Sequence, residues 1–175
     1  MIDVFVRTVS LQSELRLAFR HAAVARWEME EVCLRWLCDM GIRQGRQMAE
    51  EEATTDPYIV TDDDVLIVGK DWVKRGREAM LGNKEFAVCS SLSLIEGENL
   101  ATGTGTIYDM HAVGAPMWIR KGVLKEFPEM DLNSECGVIH KMVLDLGYRE
   151  GLINGLRHNH LGHGFSSNPA LHWGF

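Results

Sequence analysis

Three consecutive aspartates, Asp62-Asp63-Asp64, stand directly behind the apolar run Tyr58-Ile59-Val60-Thr61. Adjacent carboxylates repel one another, and no apolar interior accepts them unpaired. In an extended segment residues i and i+2 project to one side, so Asp62 and Asp64 converge while Asp63 faces away. Two oxygen donors on one side suit Mg²⁺ or Mn²⁺, which complete their shells with water and phosphate oxygens. The bland alternative is a solvated acidic turn; a place at the end of a strand that reads as buried favours a site. Near the other end, Arg157-His158-Asn159-His160-Leu161-Gly162-His163 carries three of the seven histidines. His158 and His160 share a side of an extended segment.

These groups need a scaffold, and the periodicity describes one. Residues 2–8 alternate and are β-branched, which predicts a strand. Ser10 caps a predicted helix over 11–27, with Leu11, Leu15, Ala18, Phe19 and Ala22 on one face. A second strand runs from Val32 to Cys38, a helix from Arg43 to Thr54, and a third strand over 58–61. A helix over 72–81 and a strand over 86–94 follow, then a loop over 96–105 rich in Gly, Thr and Asn. The remainder reads as a strand near 106–110, helices near 121–127 and over 134–146, and a strand near 152–158. Strand–helix alternation of this kind predicts an α/β fold with a mostly parallel central sheet flanked by helices. Ligands of such sheets sit outside the carboxyl ends of the strands, where the aspartates fall.

Composition narrows the classes. One domain over 1–175 is expected from the length. With 18 Lys+Arg against 25 Asp+Glu, the net charge of −7 opposes a broad nucleic-acid-binding face. A bound cation would still let a phosphate approach. No apolar stretch reaches the roughly 18–20 residues that cross a bilayer, and the first residues lack a secretory pattern. Cys33, Cys38, Cys89 and Cys136 show no metal-type spacing and read as reduced thiols, so the expectation is a cytoplasmic protein. Nothing here opposes a homo-oligomer.

Several segments, taken in order, resemble a family 2 glycosyltransferase with a GT-A fold. Gly41-Ile42-Arg43-Gln44-Gly45-Arg46-Gln47-Met48-Ala49 followed by Tyr58 to Val65 is similar to the helix and strand that lead into the family's D-x-D motif. Gly114 to Lys121 resembles the stretch before its acceptor-side helix. Glu135 to Tyr148 resembles the helix that opens with its catalytic acidic pair, and His158 to His163 resembles its metal-binding histidine region. Each motif is short; their shared order carries the likeness from the first strand to about residue 168.

The resemblance implies a metal-dependent enzyme that moves a sugar from a nucleotide-sugar, with UDP favoured, to an acceptor hydroxyl not named by the sequence. Arg7 and Thr8 would meet the base and ribose, Asp39 would stand near the base, and Arg46 near the diphosphate. Asp62 and Asp63 fall on the donor side, with Asp62 at the ribose or a metal-bound water. Asp64 is the implied direct ligand, joined by Asp62 and by His160 in its His-Leu-Gly context. An imidazole beside carboxylates tilts the choice towards Mn²⁺ over Mg²⁺. Asp109, Trp118 and His163 would face the sugar or acceptor, although a tryptophan is more often core.

The implied acidic pair falls on Glu135-Cys136, so a cysteine stands where the usual aspartate base would be. Glu135, or Asp131 from the preceding loop, would have to take the acceptor proton. This leaves inverting and retaining chemistry both open. It also admits a second class, a non-catalytic nucleotide-sugar-binding remnant. A metal-dependent phosphoesterase is a third reading, since Asp/His clusters serve two-metal hydrolysis. Thr102-Gly103-Thr104-Gly105-Thr106 lacks a full dinucleotide fingerprint. His158-Asn159-His160 matches a nuclease motif only in its letters.

Overall fold

The computed structural model describes residues 1–8, 14–93, 107–110, 114–128 and 135–161. The predicted strand–helix alternation holds through the first half: β1 (Ile2–Thr8), α1 (Glu14–Trp27), β2 (Val32–Cys38), α2 (Ile42–Glu52) and β3 (Tyr58–Asp62). There follow β4 (Val65–Val68), α3 (Trp72–Gly82), β5 (Phe86–Ser93), β6 (Ile107–Asp109), β7 (Met117–Ile119), α4 (Glu135–Asp145) and β8 (Arg149–His160). All eight strands join one sheet, ordered β2-β1-β3-β7-β5-β8-β4, with β6 on β8.

The sheet is mixed, which corrects the expectation of a mostly parallel one. Parallel pairing links β2, β1 and β3, and again β5 and β8. Between these two blocks lies β7, antiparallel to both β3 and β5. Its three residues are too few for a periodic signal, and residues 114–121 carry no other strand mark. β4 and β6 also pair with β8 in the antiparallel sense. Thus β4, formed by Val65-Leu66-Ile67-Val68, was hidden behind the aspartates that precede it.

Alternation along the strands divides two cores across the sheet. Phe5, Tyr58, Val60, Met117 and Ile119 point to the face covered by α2 and α4. Val4, Val6, Ile59 and Trp118 point to the other, where α1 and α3 bring Trp27 and Trp72. Trp118 stacks on Trp72 at 5.7 Å between centroids, and Trp27 meets Trp72 edge-on at 5.4 Å. A Cβ on Gly76 would stand 2.4 Å from the Trp118 ring, so only glycine lets α3 approach this closely. In α1 the buried stripe is Ala23 and Trp27, while Ala18 and Ala22 are exposed, contrary to the predicted face. Leu11, Leu15 and Phe19 fall outside the described side chains.

The predicted helix near 121–127 is instead a run of turns. Glu50, buried on α2, explains why: its carboxylate accepts the Gly122 and Leu124 N–H groups and the Tyr58 hydroxyl. Those amides are taken by a side chain, and Gly122 holds a φ of +96° that a helix does not use. Burial and the Glu50 charge together push the Tyr58 phenol well above its ordinary value. Among the described residues no helix is long and apolar enough to cross a membrane.

Candidate active site

Parallel register sets the first contact. Arg7 on β1 lies beside Asp62 on β3, so the two side chains emerge on the same side at the carboxyl ends of their strands. Arg7 Nε donates to Asp62 Oδ1 at 2.9 Å, and Nη2 lies 2.8 Å from the same oxygen. The chain then turns, because β3 ends at Asp62 and β4 begins at Val65. Asp63 N–H donates to the Arg7 carbonyl, and the buried Asp63 carboxylate accepts the Thr8 hydroxyl at 2.5 Å. Asp63 therefore ties the β3–β4 turn to the end of β1.

Asp64 faces a different strand. Antiparallel pairing of β4 with β8 sets Val65 opposite His160, and Leu161 N–H donates to the Asp64 carbonyl. His160 Nε2 comes to 2.9 Å from Asp64 Oδ1. That distance suits an ion pair, yet among the described residues no hydrogen bond reaches this buried oxygen.

The opposite wall is the start of α4. Glu135 Oε1 accepts from Arg46 Nε at 2.5 Å and also pairs with Arg46 Nη2, while Glu135 Oε2 lies 3.5 Å from Arg7 Nη1. An acidic residue in a helix's first turn also suits the positive end of its dipole. One chain of charges, Asp62–Arg7–Glu135–Arg46, thus joins β3, β1, α4 and α2. Burial opposes charge on Asp62, but Arg7, His160 and Arg46 outweigh it, so its carboxyl sits below the ordinary aspartate range. Burial likewise opposes charge on Arg7, and Asp62 with Glu135 outweighs it, raising the guanidinium. The Cys136 thiol is pushed up by burial and then by Glu135, which keeps it protonated and unsuited to replace a carboxylate base.

Of the residues singled out in the sequence, Arg7, Thr8, Asp62, Asp63, Asp64, Glu135, Arg46 and His160 come together here. The chain turns between β3 and β4, and there Asp62 pairs with Arg7 while Asp64 lies beside His160. Arg46 is only 2% exposed and is held by Glu135. Asp39 follows β2 in a turn at a φ of +52°, its N–H donating to the Thr8 carbonyl. His158 turns inward, its Nδ1 2.8 Å from Ser91 Oγ. Asp109 is exposed and paired through both oxygens with Arg149. Trp118, at 0% exposure, is core and cannot touch a sugar. Asp131 and His163 lie outside the described residues. Periodicity did not foresee the Arg46–Glu135 pair, but it held a sign. Arg46 lies on the same stripe as Ile42, Ala49 and Glu50, where a charge must find a buried partner.

Two aspartates with lowered carboxyls set an acid limit on the fold. Asp3, like Asp62, lies below its ordinary 3.8: burial works against this, and the Thr54 hydroxyl and Thr54 N–H outweigh it, aided by Arg35 and Thr55. A folded value below the unfolded one gives stability that is complete above 3.8 and lost as pH falls through the folded value. The thermal midpoint should therefore drop below about pH 4, less steeply in Asp3→Asn. Parallel profiles for both proteins would exclude Asp3 as a source of acid sensitivity.

Among the described residues no group of three or more His, Cys, Asp or Glu side chains is arranged to hold a metal ion. Asp64 and His160 remain a neighbouring pair. Neither a protein-family model nor a curated protein matches the sequence. Solved structures do match. A197 from STIV aligns over 90% of this chain and 84% of its own, with 15% identity and a TM-score of 0.53. TarS 1-349 of S. aureus aligns over 90% of this chain with 13% identity and a TM-score of 0.58. The same TarS piece in complex with UDP-GlcNAc aligns over 94%, with 12% identity and a TM-score of 0.58. The chain spans 59–61% of that piece. At these identities the likeness is one of fold: a single α/β domain with a mixed central sheet flanked by helices.

Proposed function

We propose that this protein is a metal-dependent glycosyltransferase of the family 2, GT-A type, moving a sugar from a nucleotide-sugar, UDP-linked by preference, to an acceptor hydroxyl. The observation that carries the reading is the Asp64–His160 pair at the strand ends, in a fold shared with a protein whose structure holds UDP-GlcNAc. Mn²⁺ or Mg²⁺ fits the donor set: one carboxylate oxygen and one imidazole nitrogen 2.9 Å apart, the oxygen without a hydrogen bond. Asp64 and His160 would hold the ion, with water and phosphate oxygens completing its shell. Such an ion, when bound, would neutralise the diphosphate and the charge that grows on it as it leaves.

The chain's own residues would do the rest. Arg7, braced by Asp62, offers a fixed positive charge beside the donor's path, in the manner of preorganised electrostatic stabilisation. Thr8 and Asp63 hold the turn that presents Asp64. Glu135 Oε2, which Arg7 approaches only to 3.5 Å, would accept the acceptor's hydroxyl proton. Incubation with UDP-GlcNAc and Mn²⁺ tests the reading: slow UDP release that ceases in EDTA supports it. The absence of release across a panel of nucleotide-sugars and acceptors would overturn it.

One specific observation favours the second reading, a nucleotide-sugar-binding protein without turnover. Position 136 carries a thiol in place of a carboxylate, and both oxygens of Glu135 already face arginines. UDP binding with no turnover of any donor would establish that reading. A two-metal phosphoesterase is the weakest fit, because the described residues offer one pair of ligands where such sites use more.

A further inference from the structure

Arg46 stands on the buried face of α2, beside Ile42, Gly45, Ala49 and Glu50. A guanidinium at 2% exposure has no route to a diphosphate in the cleft; it needs an anion within the fold. That anion is Glu135, 89 residues later in the chain. Both Nε and Nη2 of Arg46 engage Oε1, while Oε2 accepts a longer hydrogen bond from Arg7 Nη1 at 3.5 Å. One turn further along α2, Glu50 grips the amides of Gly122 and Leu124. The helix therefore sends one buried charge to the turns at 122–124 and one to the start of α4, and Arg46 is the one that reaches the site.

We infer that Arg46 is a positioning residue: it holds Oε1 of Glu135 so that Oε2 is the oxygen presented to the acceptor. The inference rests on the reading of Glu135 as the base. In the step it supports, the acceptor O–H bond breaks and its proton passes to Oε2. The oxygen's electron pair then forms the bond to the anomeric carbon, and the bond from that carbon to the diphosphate oxygen breaks. Arg46 itself touches no substrate.

The test joins kinetics to stability, with UDP-GlcNAc as donor and water as acceptor. Arg46→Met should lower kcat about 100-fold, as far as Glu135→Gln does, with the donor KM within about twofold. The double variant should lose little more, and Arg46→Lys should recover part of the rate. A raised donor KM with kcat preserved would overturn the inference and return Arg46 to donor binding. Additive losses in kcat would also overturn it. Urea unfolding of the same four proteins gives an independent readout, with a coupling of about tenfold or more in the unfolding constant expected. If wild type turns over no donor, the glycosyltransferase reading fails. The unfolding cycle then decides the pairing alone, and additivity within about twofold refutes it. Should Arg46→Met not fold, Arg46→Lys carries both arms.

Discussion

Alanine in place of Asp64 should abolish cation-dependent turnover of UDP-GlcNAc, lowering kcat/KM by on the order of 100- to 1,000-fold. Asp64 is presented by a β3–β4 connection that Asp63 pins to Thr8 and that Leu161 N–H pins through the Asp64 carbonyl. Its side-chain oxygen lies 2.9 Å from His160 Nε2 and accepts no hydrogen bond among the described residues. Removing the carboxylate would take away one of the two protein donors proposed among the described residues, and a cation that relies on a phosphate and water for its other ligands would not be retained. The fold should survive, because the pinning contacts use the Asp64 backbone and the Asp63 side chain. A measured Kd for Mn²⁺, in the presence of UDP, should rise in step with the kinetic loss. Turnover in Asp64→Ala within about threefold of wild type would place the cation elsewhere.

The second large effect is expected from Glu135→Gln. The amide keeps the shape of the carboxylate and can still accept from Arg46 through its oxygen, but it cannot take up a proton. Loss of a general base is worth about 10²- to 10⁴-fold in kcat. UDP affinity should stay within about twofold, since Glu135 is bound to arginines and not to the Asp64–His160 pair. A large loss of kcat with UDP binding preserved separates the base from the donor site. Retained transfer would move the base to another residue or point to a retaining course.

Much of this was legible in the sequence, and the exceptions have physical causes. β1, β2, α2, β3 and α3 follow from periodicity because each is long enough to show its period and is bounded by turn residues. β7 has three residues and sits at the centre of the sheet, so its signal is burial alone, which an isolated run of Met-Trp-Ile cannot distinguish from a loop anchored in the core. The missing helix at 121–127 turned on a contact with Glu50, 72 positions from Gly122 in the chain. No local pattern contains that.

The same division holds for the site. The aspartates and His160 were visible as residue types, because carboxylates and imidazoles rarely cluster without a reason. Their pairing was not, since an extended reading of Asp62 to Asp64 presumes a strand where the chain turns. Asp62 then goes to Arg7 by parallel register and Asp64 to His160 by antiparallel register. Trp118 shows the converse: an aromatic residue near a presumed sugar site is core because Gly76 opens the space for it.

Thermal unfolding with UDP tests the central claim most directly. A ligand at about 100 times its Kd stabilises the native state by about 2.7 kcal/mol, which for a chain of this size raises the midpoint by roughly 5–10 °C. The account predicts such a shift with Mn²⁺ or Mg²⁺ present and little or none in EDTA. An equal shift in EDTA would contradict a diphosphate site built around a cation on Asp64 and His160.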